Sequence, residues 1–77
     1  MPCRVGITTD PSGRKSTWES KVVGLNNWRV YGPFSREEAQ SQENMIARTY
    51  GCKAHPGGRS DPSRNWYVYT FSYLRTK

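Results

Sequence analysis

Residues 35–51, SREEAQSQENMIARTYG, leave the chain few options other than a helix. Ser35 and Glu38 stand at the spacing of a capping box. The serine oxygen accepts the N–H three residues on, and the glutamate reaches back to the serine N–H. Pro33 and Phe34 close the preceding segment, and Gly51 falls where a left-handed residue ends a helix. Ala39, Glu43, Ile46, Ala47 and Tyr50 recur at steps of three and four residues, so they share one face. Glu43 is the misfit in that stripe. A carboxylate among apolar side chains costs free energy unless it is paired or holds a cation. Two explanations stand: Glu43 lies at the edge of the stripe with its head in water or on an arginine, or it serves a ligand.

The helix needs a surface to pack on, and three short segments supply it. Cys3, Val5 and Ile7 alternate with Arg4, Gly6 and Thr8, which predicts a strand over 3–9. Asp10 is a good N-cap and Pro11 suits a first helical position, so a shorter helix is expected over 11–21, weakened by Gly13, with Arg14, Trp18 and Val22 on one side. Val22 to Asn27 reads as a connection, and Trp28 to Tyr31 as a second strand ended by Gly32-Pro33. Trp66 to Leu74, WYVYTFSYL, alternates strongly and predicts the third. Between them, residues 51–65, GCKAHPGGRSDPSRN, read as one long basic Gly/Pro loop of a kind that often carries function. The expectation is a single α+β domain over residues 1–77, in the order β-α-β-α-β, with a three-stranded antiparallel sheet and two helices.

Which sheet face the helices cover is a choice. Cys3, Val5, Ile7, Trp28, Val30, Trp66 and Val68 make a coherent buried set. Arg4, Thr8, Arg29, Tyr31, Tyr67, Tyr69 and Tyr73 then form an opposite face in which aromatic rings stand among arginines. Such a face suits base stacking and phosphate contacts. It equally suits packing under the long loop or against a second copy. Twelve Lys and Arg against six Asp and Glu give a formal charge of +6, which favours anionic partners. No stretch is apolar enough to span a membrane or to serve as a signal peptide, so the cytoplasm is the expected setting and Cys3 and Cys52 are expected as free thiols. Cys52 and His55 have a ligand-like spacing, but one His and one other Cys do not complete a zinc site within the chain.

Arg4-Val5-Gly6-Ile7-Thr8-Thr9-Asp10-Pro11, with Arg14 after it, resembles the second motif strand of GIY-YIG nuclease domains and the helix start that follows it. A Trp28-containing strand followed by the 35–51 helix resembles the family's later segment, in which a Glu at the Glu43 position binds a divalent metal. The family's first strand is missing before Cys3, but Trp66-Tyr67-Val68-Tyr69 looks like it, with Tyr69 in the place of the GIY tyrosine. The resemblance spans nearly the whole chain and implies a circular permutation, with the first strand moved to the C-terminus, antiparallel to residues 3–9, and the 51–65 loop as the joint. It departs from the family at Arg4, where a tyrosine is expected, and at Trp18, where a His or Tyr often stands. The late Asn has no counterpart.

The resemblance implies phosphodiester hydrolysis by Tyr69, Arg14 and Glu43, with Mg²⁺ on Glu43. The substitutions turn the expectation towards binding: a fixed cation at Arg4 repels Mg²⁺, attracts phosphate, or pairs with Glu43. The leading expectation is therefore a nucleotide- or nucleic-acid-binding module that uses Arg4, Thr8, Arg14, Arg29, Arg59, Tyr67 and Tyr69, needs no cofactor, and works by sequestration, as some phage or mobile-element products do. A homodimer or higher homo-oligomer is expected to help so small a chain build a pocket. Two alternatives are an active metal-dependent endonuclease and a protein-binding inhibitor that uses the aromatic face.

Overall fold

The computed structural model describes residues 2–55 and 65–77. Its elements are β1 (Cys3–Thr8), α1 (Pro11–Lys21), β2 (Val22–Val23), β3 (Asn26–Phe34), α2 (Arg36–Tyr50), β4 (Lys53–His55), β5 (Trp66–Ser72) and β6 (Arg75–Thr76). Both helices form where their end signals stand. Asp10 caps α1 by accepting the Gly13 N–H, with Pro11 in the first turn. The full capping box of Ser35 and Glu38 opens α2, and Gly51, at φ 66°, closes it in the left-handed conformation that glycine adopts without a Cβ clash.

The main sheet has the order β3-β5-β1-β4. β5 lies antiparallel to both β1 and β3, with Tyr69 opposite Gly6 and Thr70 opposite Val5. The sheet is mixed and four-stranded, not the three-stranded antiparallel sheet that the alternating runs suggest. The extra strand is β4, which runs parallel to β1 with Lys53 opposite Arg4. Lys-Ala-His has no apolar alternation to announce it. Part of the expected 51–65 loop is thus strand, and the rest, 56–64, lies outside the described residues. A second small sheet pairs β2 with β6 antiparallel; both elements are too short to show a period.

The register of β4 also settles the cysteines. Pairing Arg4 with Lys53 sets the preceding residues, Cys3 and Cys52, side by side with Cα atoms 4.8 Å apart, within disulfide reach, and the two are bonded. The expectation of free thiols is corrected. Among the described residues no helix is long and apolar enough to cross a membrane.

Two cores flank the sheet. On the α2 side, Val5, Ile7, Trp66, Val68 and Ala39 form one cluster, with Phe34, Ile46, Ala47 and Cys52 packed against it. On the α1 side, Trp18, Val22, Tyr69, Phe71 and Tyr73 form another, with Leu25 and Trp28 against it. The aromatic face, which the sequence leaves either open or covered, is closed. Tyr69 and Phe71 are each 1 % exposed. Among the described residues, Trp18 of α1 and Trp28 cover them.

β3 explains the rest of the mismatch. It is longer than expected and runs on through Gly32-Pro33, with register shifts between Asn26 and Arg29 and between Tyr31 and Phe34. Each shift changes which face a residue meets. Trp28 thus stacks on Tyr69 at 5.0 Å, instead of lying with Val5, and Val30 is exposed. Arg29 and Tyr31 pair opposite Thr70 and Val68, which puts them on the α2 side, away from Arg4. Tyr50, expected on the apolar stripe of α2, is largely exposed.

Candidate phosphate site

Tyr69 is the centre of the α1-side layer. Its ring lies over Gly6, where a Cβ would collide with the phenol, so glycine at this position permits the close approach. The phenol oxygen accepts a 2.9 Å hydrogen bond from Trp18 Nε1. Burial pushes the Tyr69 phenol above its ordinary value. The Trp18 bond and the charges of Arg14 and Arg4 act in the other direction, and that of Glu43 adds to the rise. The charges of Arg14, Glu43 and Arg4 are thus all felt at the Tyr69 phenol, although these residues stand far apart in the sequence.

The cations are arranged on aromatic rings. The Arg4 guanidinium carbon lies 5.2 Å from the Trp18 ring centroid and 5.8 Å from that of Tyr73. Lys21 Nζ lies 5.3 Å from the same Trp18 ring. Both are within cation–π range, which orients each cation without neutralising it. Arg4 Nε is buried and has no hydrogen-bond partner among the described residues. Buried donors are seldom left unmet, so an acceptor placed here meets an unsatisfied group. Lys21 was not legible as a site residue; its place at the end of α1, one turn after Trp18, is the signal that marks it.

Other expected site residues stand elsewhere. Thr8 is buried, and its hydroxyl accepts the Asp10 N–H, so it shapes the turn into α1 and cannot meet a ligand as arranged. Tyr67 pairs opposite Thr8 and is half-buried. Arg29 faces the α2 side. Arg59 lies outside the described residues.

Glu43 is 3 % exposed, so its head is not in water. One oxygen accepts a 2.6 Å bond from Gln40 Nε2, while Oε2 is buried without a partner. Gln40 Oε1 in turn accepts from Arg36, whose guanidinium lies 5.2 Å from the Trp66 ring centroid. Burial raises the Glu43 carboxyl above the ordinary 4.5, against the opposing Gln40 bond and Arg36 charge. The unmet oxygen is what a metal ligand would offer, but the surroundings are wrong for one. Mg²⁺ keeps several waters, and Glu43, 3 % exposed, presents little of its carboxylate to a hydrated ion. Among the described residues no three His, Cys, Asp or Glu side chains come together to hold a metal. Glu43 as arranged does not fit a hydrated Mg²⁺.

Comparison of the chain with family models, with curated proteins and with solved structures finds no match.

Proposed function

We propose that this chain is a GIY-YIG-like domain, with that family's first strand at its C-terminus, that binds a phosphate-bearing ligand, a nucleotide or a nucleic-acid strand, and holds it without cleaving it. The observation that carries the reading is the seating of Arg4 and Lys21 on the Trp18 ring, whose indole N–H bonds to Tyr69, with the charge of Arg14 also felt at the Tyr69 phenol. Charge-assisted bonds to phosphate are the strong use of such a cluster. The overall charge of +6 draws anions towards it. The antiparallel pairing of β5 with β1, with Tyr69 opposite Gly6, is the arrangement that a permuted domain calls for. Arg4, Arg14 and Lys21 meet the phosphate. Tyr69 is enclosed and acts as a positioning residue: through Trp18 it fixes the ring on which the cations lie.

Binding is favoured over hydrolysis by Glu43. Its carboxyl is enclosed and engaged by Gln40, which leaves Tyr69 and Arg14 without the metal that the family's reaction needs. The test is equilibrium binding of a labelled single-stranded oligonucleotide and of free nucleotides, at low and raised salt, to wild type and Arg14→Ala. Loss of one charge-assisted contact is expected to weaken binding about tenfold or more, and added salt to weaken the oligonucleotide steeply through counterion release. Binding unchanged by Arg14→Ala, Arg4→Ala and salt would count against the site.

A further inference from the structure

On the other side of the sheet, α2 and β3 enclose a groove of about 650 Å³. This volume is within the range of roughly 300–1,000 Å³ typical of small-molecule sites. Phe34 and Ile46 lie at its apolar base, and Tyr31, Met45 and Tyr50 line it. These last three are 42, 52 and 73 % exposed, which makes them three of the five large hydrophobic side chains left in water among the described residues. Exposed apolar groups gathered at one concavity mark a contact surface. The groove also has a definite charge. Among its described lining residues Arg29 is the one charged side chain, and the remaining polar groups are amides and hydroxyls, such as Asn27, Gln42 and Thr49.

We propose that this groove binds a small amphipathic organic anion, with its ring or apolar body against Tyr31, Met45 and Tyr50 and its acid group on Arg29. Three observations select that occupant. Among the described lining residues there is no carboxylate, so a cationic ligand finds no counter-charge among them while an anion finds Arg29. A single cation cannot track a polyphosphate backbone, whose affinity grows with the number of phosphates neutralised, so a nucleic-acid strand is a poor fit here. A second copy of the chain brings its own +6 charge to this edge, which opposes docking of like on like. Arg29 and the Arg4 cluster lie on opposite sides of the sheet, so this site stands or falls apart from the phosphate site.

The test uses the full chain and three naphthalene probes of similar size: naphthalene-2-sulfonate, neutral 2-naphthol and cationic 2-naphthylmethylamine. Binding is followed by amide NMR shifts and by calorimetry. The expected result is saturable shifts centred on Tyr31, Met45 and Tyr50, with the sulfonate bound tightest. Arg29→Gln should weaken the sulfonate about tenfold and leave 2-naphthol within about twofold; Tyr50→Ala should weaken both. Both positions, Arg29 and Tyr50, are exposed, and the NMR spectrum itself reports that each variant is folded. Shifts spread over the whole surface, an Arg29→Gln variant that binds the sulfonate as wild type does, or a sedimenting dimer that buries Tyr31 and Tyr50 and excludes the probes would each overturn the proposal.

Discussion

On the α2 side of the sheet, the core is largely aliphatic: Val5, Ile7, Val68 and Ala39, closed by Trp66, with one misplaced carboxylate at Glu43. On the α1 side it is aromatic: Trp18, Tyr69, Phe71 and Tyr73, with Trp28 stacked at 5.0 Å from Tyr69 and 5.7 Å from Phe71. The difference bears on chemistry. Aliphatic side chains exclude water and offer no hydrogen-bond donor to Glu43 Oε2, and the buried ring on this side, Trp66, carries Arg36. Aromatic faces exclude water and also hold cations, so Arg4 and Lys21 lie against the second core with their charge available. Among the described residues the first layer holds one cation in this way, on Trp66, and the second holds two.

The comparison breaks most sharply if the aromatic layer is not a core. Trp18→Ala should destabilise the fold by about 3–5 kcal/mol, as truncation of a buried ring does. Tyr50→Ala, at an exposed position, should stay within about 0.5 kcal/mol. Denaturant midpoints measure both; equal, small effects would mean that the aromatic face is a surface. Loss of the Cys3–Cys52 bond tests the other side, since Cys52 packs against the aliphatic cluster. The bond spans 49 residues, for which the loop-closure estimate is about 4 kcal/mol. Wild type should show no titratable thiol until it is reduced, and its melting temperature should then fall.

How much of this was legible in the sequence follows the same division. α2 could be read almost to the residue, because its box, its stripe and its closing glycine are local signals. The aliphatic half of the sheet was legible from alternation in residues 3–8 and 66–68. The aromatic half was not. Tyr and Trp serve equally in a core and on a surface, and one-residue shifts in β3 moved Trp28 to one face and Arg29 and Tyr31 to the other. β4 and the disulfide depend on a parallel pairing that no local pattern encodes. Of the candidate site, Arg4 and Tyr69 were named from the sequence and both lie against Trp18, while Arg14, also named, bears on Tyr69 through its charge. Thr8 and Arg29 were named and do not join them, while Lys21 was missed.

Smaller substitutions sharpen the picture. Gly6→Ala should cost about 1–3 kcal/mol by over-packing, because its Cβ falls on the Tyr69 ring; tryptophan fluorescence should change as the Trp18–Tyr69 bond is disturbed. Glu43→Gln should act in the opposite sense and with the smallest effect. Burial raises the folded-state value of Glu43 above the ordinary 4.5, so the folded chain holds this proton to higher pH than the unfolded chain does. Stability therefore falls as pH rises through the window above 4.5 and stays lower beyond it. Glu43→Gln should remove that component of the slope and be no less stable than wild type at neutral pH, as read from unfolding curves at a series of pH values.

The central claim, a cation cluster that holds phosphate without cutting it, is tested most directly by one experiment. Purified protein is incubated with labelled single- and double-stranded DNA, RNA, and linear and cyclic nucleotides, with Mg²⁺ or with a chelator, and both retention and integrity of the ligand are measured. The account predicts an intact ligand, retained equally well in the chelator and released by Arg4→Ala or Arg14→Ala. Cleavage that requires Mg²⁺ and disappears in Glu43→Gln would contradict it.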